Sequence, residues 1–463
     1  MLAVSRQNKT GMKIFTKQEQ ILGDTYTPIG VFLNLRDHFA NVSLFESSDY
    51  QNKNNAHSFI VANPIVTIEK YDQLVLRIEQ EMPEFFEATA SELNRLKNSF
   101  DFDERFAHQN GFFGAFSFES VQLFEDIKLN KTANDLPDIF LAAYEFVLIF
   151  DHFSNQITLL HNSFHANKNG LPQIIQLMRQ QAHPDSFFET VGTPFSSETD
   201  ESFKLKVDKV KAHVKRGDVF QLVLSRQFQQ GFSGDDFQVY RALRTLNPSP
   251  YMFYFDLNRA KLIGASPEAQ IKIENGKGEI HPIAGTVRRN GDSTKDEAGV
   301  QFLLNDPKEN AEHIMLVDLA RNDLNRHCQN VQVEKLREVQ TFSHVIHLVS
   351  NVTGQLNTQN SLEVFGDCFP AGTLSGAPKY RAMELINEYE SVPRNFYGGA
   401  IGLFAANGDV NTAIIIRSAL SRNGNLTYQA GAGIVYDSTC ESECQEVYNK
   451  TNSIHTAIKN ASK

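Results

Sequence analysis

Carboxylates occupy places in this sequence where an apolar core would exclude them. Residues 306–326 read DPKENAEHIMLVDLARNDLNR. Asp306 can cap a helix, Pro307 suits its first position, and Glu309 three residues after the cap completes a capping-box pattern. Ile314, Met315, Leu316, Val317 and Leu319 then leave almost no polar face, the mark of an enclosed helix. Glu312, His313, Asp318, Arg321 and Asp323 nevertheless ride on it. Buried acids need a counter-charge or a metal, so this segment requires either internal Asp–Arg pairs or a cation. A second acidic set lies on a helical stretch over about 439–459. There Glu443, Glu446 and Lys450 are three and four residues apart, hence on one face beside Val447, Ile454 and Ile458. Glu309/Glu312 and Glu443/Glu446 could converge on one hard cation. Magnesium fits best, because it takes one or two carboxylates, keeps waters and leaves positions for substrate oxygens. Arg417, Lys450, Thr286, Thr373, Tyr397 and the backbone of Gly431, Ala432 and Gly433 supply cations and donors at strand ends. That is a pocket for a substrate bearing carboxylates.

Other candidates carry weaker signals. Glu268 stands at the lip of a small-residue turn after an apolar run, a place where a glutamate is ordinarily solvated. His344 and His347 fall on opposite faces if 341–352 is a strand. If it is a helix they share one face, and with Glu312 they would imitate a zinc site. FPAGTLSGAPK, 369–379, is too rich in Gly and Pro for regular structure; its hydroxyls and N–H groups suit an anion, but it lacks P-loop spacing. Cys328, Cys368, Cys440 and Cys444 show neither metal spacing nor a disulfide framework.

The elements that must position these groups read as follows. Residues 29–35, 58–68, 111–118, 139–150 and 156–160 look like strands and 71–96 like a helical interval. A polar stretch with Pro and Gly, 182–201, looks like a connector, which sets the main boundary between an N-terminal region, 1–190, and a second domain, 198–463. An amphipathic helix over 203–216 ends at Gly217, and 219–228 alternates as a strand. Residues 251–256, 262–268 and 280–289 follow as strands, as do 397–402, 412–419 and 427–435. At 463 residues the chain is long enough for two to four domains, or for one interleaved body. A net charge of −11 and a pI near 5.7 argue against sequence-independent nucleic-acid binding. No run reaches the length of a membrane span or a signal peptide, so a reducing cytoplasm is the expected setting.

The segments PIAGT, DPKENAEHIMLVDLARNDL, HLVSNV, GTLSGAPK, YGGAIG, IIIRSAL and QAGAGIVYDS occur in this order between about 200 and 460. Together they resemble the chorismate-utilising enzymes, most closely the anthranilate synthase component I family; the N-terminal half matches more weakly. The resemblance implies an α+β fold, two packed antiparallel β-sheets flanked by helices. It implies Mg2+ on Glu312 and Glu446, with Glu309 and Glu443 as supports. It places chorismate against Tyr397, Arg417, the Gly431, Ala432 and Gly433 strand, Lys450 and Thr286. Thr373 would help place the ring, Glu268 would protonate the departing ring hydroxyl, and His347 would assist pyruvate elimination.

Two positions discriminate within the resemblance. Relatives that form isochorismate or salicylate carry a water-activating lysine where this chain has Gln221, and an amide cannot deprotonate water. Aminodeoxychorismate synthases often carry a nucleophilic lysine where this chain has Ala284. An amine nucleophile and an anthranilate product are therefore implied. Aminodeoxychorismate synthase members that lack the lysine, and a catalytically silent amino-acid sensor, are the rival readings. Members inhibited by tryptophan hold it with an LLES-like strand and an NPSPYM segment, here Leu44, Phe45, Glu46 and Ser47 with Pro250, Tyr251 and Met252. Phe45 departs from the usual Leu. No Cys–His glutaminase pattern is present, so the implied ammonia source is a separate glutamine amidotransferase subunit in a hetero-oligomer.

Overall fold

The computed structural model describes residues 11–47, 56–79, 81–129, 135–180, 186–289, 291–341 and 345–462. Two long strands, His57–Lys70 and Ile139–Asp151, pair over most of their length and divide the β-structure into two branches. Val, Ile, Phe and Ala fill both, so each strand can be buried on two faces. One branch continues through Ser43–Glu46, Tyr251–Asp256, Lys261–Ser266, Ser418–Arg422, Asn425–Ile434 and Gln221–Gly234 to Phe188–Ser196. The other runs through Gly111–Phe116, Ala400–Ala405, Val410–Ile414, Ala269–Glu274 and Lys277–Ile280 to Val345–Leu356. This last strand also pairs with Ile283–Arg288 and Cys328–Thr341. All of these pairings are antiparallel. Phe113, Tyr144, Val147, Phe253, Phe255, Leu262, Ile401 and Ala413 from both branches form one apolar cluster. The α+β architecture of two packed antiparallel sheets flanked by helices is thus the observed one.

Capping chemistry sets the helices that bear the acids. Asp306 accepts from Glu309 N at 2.9 Å and opens the Pro307–Asn325 helix. Thr439 accepts from Ser442 N and opens Cys440–Ala461. Gly217 takes the left-handed conformation, φ 81°, that closes Asp200–Arg216. No helix among the described residues is long and apolar enough to cross a membrane.

Several local readings are corrected. Residues 29–35 lie in a helix, Pro28–Arg36, because Thr27 caps it, Pro28 occupies its first turn, and consecutive burial serves a helix wedged into the core. Residues 71–96 form a hairpin, Leu74–Ile78 with Glu84–Phe86, before the short helix Ala90–Lys97. The stretch at 182–201 contains the strand Phe188–Ser196, which pairs only with Gln221–Gly234 among the described strands. Its Gly192, Pro194 and exposed polar residues suit a sheet edge, so it resembles a linker in composition. Both branches join residues from either side of this stretch, through Ser43–Glu46 with Tyr251–Asp256 and Gly111–Phe116 with Ala400–Ala405. The Pro307–Asn325 helix is half-covered rather than enclosed: Leu316, Val317, Ala320 and Leu324 are buried, whereas Ile314 is 45% exposed. Residues 345–356 are a strand, which removes the zinc-like alternative; His344 lies outside the described residues.

Candidate functional site

Glu268 sits where Lys261–Ser266 ends and Ala269–Glu274 begins. Pro267 interrupts the pairing there, and Ser266 Oγ lies 3.3 Å from both the backbone N and O of Glu268. Thr373 Oγ1 donates to Glu268 Oε1 at 3.0 Å. Burial pushes the Glu268 carboxyl up to about 7, while the Thr373 hydrogen bond and the positive charges of Arg417 and Lys450 act in the opposite direction. The carboxyl can therefore hold a proton near neutral pH. Thr373 belongs to the helical turn Gly372–Ser375, pressed so closely on the Pro307–Asn325 helix that a Cβ at Gly372 would meet Leu319 Cδ2 at 1.9 Å. The Gly/Pro-rich segment thus contains one regular turn.

Arg417 adopts φ 48° in the break between Val410–Ile414 and Ser418–Arg422, so the single strand read over 412–419 is two. The break turns its guanidinium toward the site, where burial lowers its pKa and Glu268 opposes that shift. His347 is buried, and burial keeps its imidazole pKa below the usual value. Its Nδ1 donates to Gly285 O at 3.3 Å, which leaves Nε2 as the acceptor. Gly285 supplies that carbonyl from a bulge at φ 69°, opposite a backbone pairing of Thr286 with His347. Glu309 Oε2 approaches the same bulge, 3.1 Å from the position of a Cβ on Gly285.

The other wall is the Asn425–Ile434 strand. Gly431, Ala432 and Gly433 pair with Ser225, Leu224 and Val223. Lys450 Nζ donates to Gly431 O at 3.0 Å and pairs with Glu446 at 2.7 Å. Tyr397 is buried against this wall, and burial, the largest cause, raises its phenol pKa; a backbone hydrogen bond from Gly431 and the Glu446 charge also act on it. Gln221 Nε2 donates to Glu312 Oε1 at 2.9 Å. The same nitrogen would lie 2.6 Å from a Cβ at position 433, so glycine there makes room for the amide. Gln221 Oε1 is buried without a hydrogen-bond partner.

The structure therefore brings Glu268, Thr373, Arg417, His347, Tyr397, Gly431–Gly433, Lys450 and Gln221/Glu312 around one region. Glu443 is buried on the last helix as its spacing implied, whereas Glu446 and Lys450 on the same face are 44% and 50% exposed in their side chains, because they lie toward the solvent edge of that face. No group of three or more His, Cys, Asp or Glu side chains disposed to hold a metal occurs among the described residues. A two-carboxylate set does not form a closed protein cage. Glu312, bonded to Gln221, and Glu446, paired with Lys450, would suit an ion that completes its shell with water and substrate oxygens. On the Pro307–Asn325 helix, Asp318 pairs with Arg321 at 2.9 Å in solvent, and Asp323 pairs with Lys379 at 2.8 Å in a buried setting.

A separate cavity of about 270 Å³ is lined by Phe45, Glu46, Ser47, Pro250, Tyr251 and Met252. Phe59 and Phe113 add aromatic walls, with ring centroids 5.8 Å apart. Antiparallel pairing of Met252 with Glu46 and Phe253 with Phe45 joins the two segments. Glu46 is fixed by Tyr240 Oη at 2.5 Å and by Arg244 at 2.8 and 3.1 Å. Gly285 marks a close backbone approach in sequence, whereas Ser266 and the Glu390–Arg394 pair behind Tyr397 carry no such signal. Position 394 stands in an irregular segment, SVPRNFYGG, where no periodicity marks an arginine as buried.

A sequence profile described as chorismate binding enzyme matches residues 44–456. The chain belongs to this family. The anthranilate synthase component 1 of Aquifex aeolicus is 36% identical over 465 residues, covering 95% of this chain and 94% of the relative. The protein of the same name from Neisseria gonorrhoeae is 40% identical over 366 residues, covering 75% and 74%. The crystal structure of anthranilate synthase component I from Streptococcus pneumoniae superposes with a TM-score of 0.77 at 32% identity, covering 94% of this chain and 99% of that one. This family member thus groups with component I chains along nearly its whole length, including the N-terminal half whose motifs were weaker.

Proposed function

We propose that this chorismate-utilising chain is a lyase that converts chorismate and ammonia into anthranilate, pyruvate and water, the first committed step toward tryptophan. One observation carries the reading: a recessed Glu268, held by Thr373 and facing Arg417 and Lys450, can remain protonated near neutral pH. Arg417 and Lys450 bind carboxylates of the substrate, with Tyr397 and the Gly431–Gly433 backbone placing them. Ammonia attacks the ring, and the departing ring hydroxyl takes the Glu268 proton and leaves as water. His347, with Nδ1 committed to Gly285 O, offers Nε2 to the ring proton lost as pyruvate is eliminated. Gln221 cannot deprotonate water, which favours an amine nucleophile. Glu312 and Glu446, supported by Glu309 and Glu443, would hold Mg2+, whose charge would neutralise a substrate carboxylate. Thr286, paired through its backbone with His347, would add to the substrate contacts beside that histidine.

Ammonia would come from glutamine through a separate amidotransferase subunit in a cytoplasmic hetero-oligomer. Tryptophan would occupy the aromatic cavity and inhibit. Purified protein with chorismate, Mg2+ and concentrated ammonium salt at mildly alkaline pH should accumulate anthranilate, detected by its fluorescence. A non-aromatic aminated product or isochorismate in its place refutes the assignment.

A further inference from the structure

Arg394 is 3% exposed and lies outside the substrate-facing groups, yet it touches the elements that carry them. Its Nη1 donates to Leu374 O at 2.7 Å, in the turn that bears Thr373. Its Nη2 donates to Val223 O at 2.8 Å, on the residue directly opposite Gly433. The guanidinium carbon stands 5.6 Å from the Tyr397 ring centroid and 4.5 Å from that of Phe118. Glu390 fixes the plane by accepting from Nε at 2.9 Å and from Nη2 at 2.7 Å. Glu390 Oε1 also accepts from Ser225 N and Oγ at 2.8 and 2.6 Å, and Ser225 is the residue opposite Gly431.

A buried ion pair by itself adds little net stability, because desolvation offsets its attraction. Here the planar donor set connects three segments that are separate in sequence: the turn bearing Thr373, the Gln221–Gly234 strand that pairs with Gly431–Gly433, and Tyr397. A rigid fork suits this use, since its hydrogen bonds fix both distance and plane. We infer that Arg394, locked by Glu390, is a positioning residue that sets Thr373 against Glu268 and holds Tyr397 and the glycine strand in register with it.

This inference rests on the proposed reaction. The side chains that act on Glu268 are Thr373, Arg417 and Lys450, with Asp323 across a small adjoining cavity. If Arg394 acts through Thr373, Arg394→Lys releases the Thr373 hydrogen bond, which otherwise lowers the Glu268 pKa. The alkaline limb of kcat/KM then moves to higher pH, and kcat falls by roughly 100-fold, the scale of a 1 Å misplacement. Thr373→Ala should move the limb in the same direction. In the Thr373→Ala background, Arg394→Lys should move it no further, because partners in one network are not additive. An unmoved limb in Arg394→Lys, or a full second displacement in the double variant, overturns the inference. If Arg394→Lys does not fold, as judged by circular dichroism, the near-isosteric Glu390→Gln replaces it and is read by the same two outcomes. A wild-type protein unable to make anthranilate from ammonia refutes the reaction itself; an active wild type with an unmoved limb refutes only the role of Arg394.

Discussion

Tyr251 and Ser266 are direct cross-strand partners in the antiparallel pair Tyr251–Asp256 and Lys261–Ser266. Tyr251 lines the aromatic cavity, and the Ser266 hydroxyl lies 3.3 Å from the backbone N and O of Glu268. A second link runs through Ala413, which also lines the cavity, to Ile414, whose N–H donates to Glu268 O at 3.0 Å. Two short backbone routes therefore run from the cavity lining to Glu268.

Ser266→Ala should weaken the proposed inhibition of anthranilate formation by tryptophan while leaving tryptophan affinity within about twofold, since no cavity contact is removed. Binding is directly observable because the chain contains no tryptophan, so the ligand's indole emission is read against tyrosine alone. Inhibition that keeps its full depth in the variant would remove Ser266 from the route.

Ser47→Ala should relieve inhibition by lowering tryptophan affinity, with the ammonia-dependent rate unchanged, because Ser47 lines the cavity far from Glu268 in the chain. Unaltered inhibition would move the inhibitor to another part of the molecule.

Glu268→Gln should retain chorismate binding and lose roughly 100- to 10,000-fold in kcat, the range of a general acid. In the wild type the carboxyl is neutral below about 7 and ionised above it. A reaction that needs its proton therefore slows as pH rises through that value, and kcat/KM records the limb for the free enzyme. The limb should vanish in the variant; a limb that persists would belong to another group.

Glu312→Gln should lose most of the activity while circular dichroism stays native, and should raise the Mg2+ concentration for half-maximal turnover by more than about tenfold. Wild-type rates would place the metal elsewhere.

Glu119 offers a test of stability against pH. Its carboxyl is buried and pushed up to about 7 by that burial, with Oε2 lacking a hydrogen-bond partner. The folded pKa lies above the unfolded value, so the native state holds the proton more tightly. The stabilisation is present below about 4.5 and is lost as pH rises through about 7, on the order of 3 kcal/mol in all. The melting temperature of Glu119→Gln relative to wild type should consequently rise between pH 5 and pH 8. A constant difference across that interval would show that Glu119 does not titrate there.

The sequence by itself determined what short-range physics controls. Asp306, Pro307 and Glu309 fixed one helix start, and Gly217 fixed a helix end. The order of long motifs implied the family, the fold and the residues facing the substrate. Local composition misled where tertiary surroundings outweighed it: residues 29–35 are helical because the core accepts them on every side, and 188–196 look like a linker because an edge strand shows its outer face to water. Only the tertiary structure decided which groups meet. Gln221 reaches Glu312 across 91 positions, and Thr373 reaches Glu268 across 105. Arg394 gains its place from carbonyls of Leu374 and Val223 that no sequence pattern announces. The physical reason is that burial and hydrogen-bond geometry, which set the protonation of Glu268 and the orientation of His347, depend on what folding brings near and not on the neighbours in sequence.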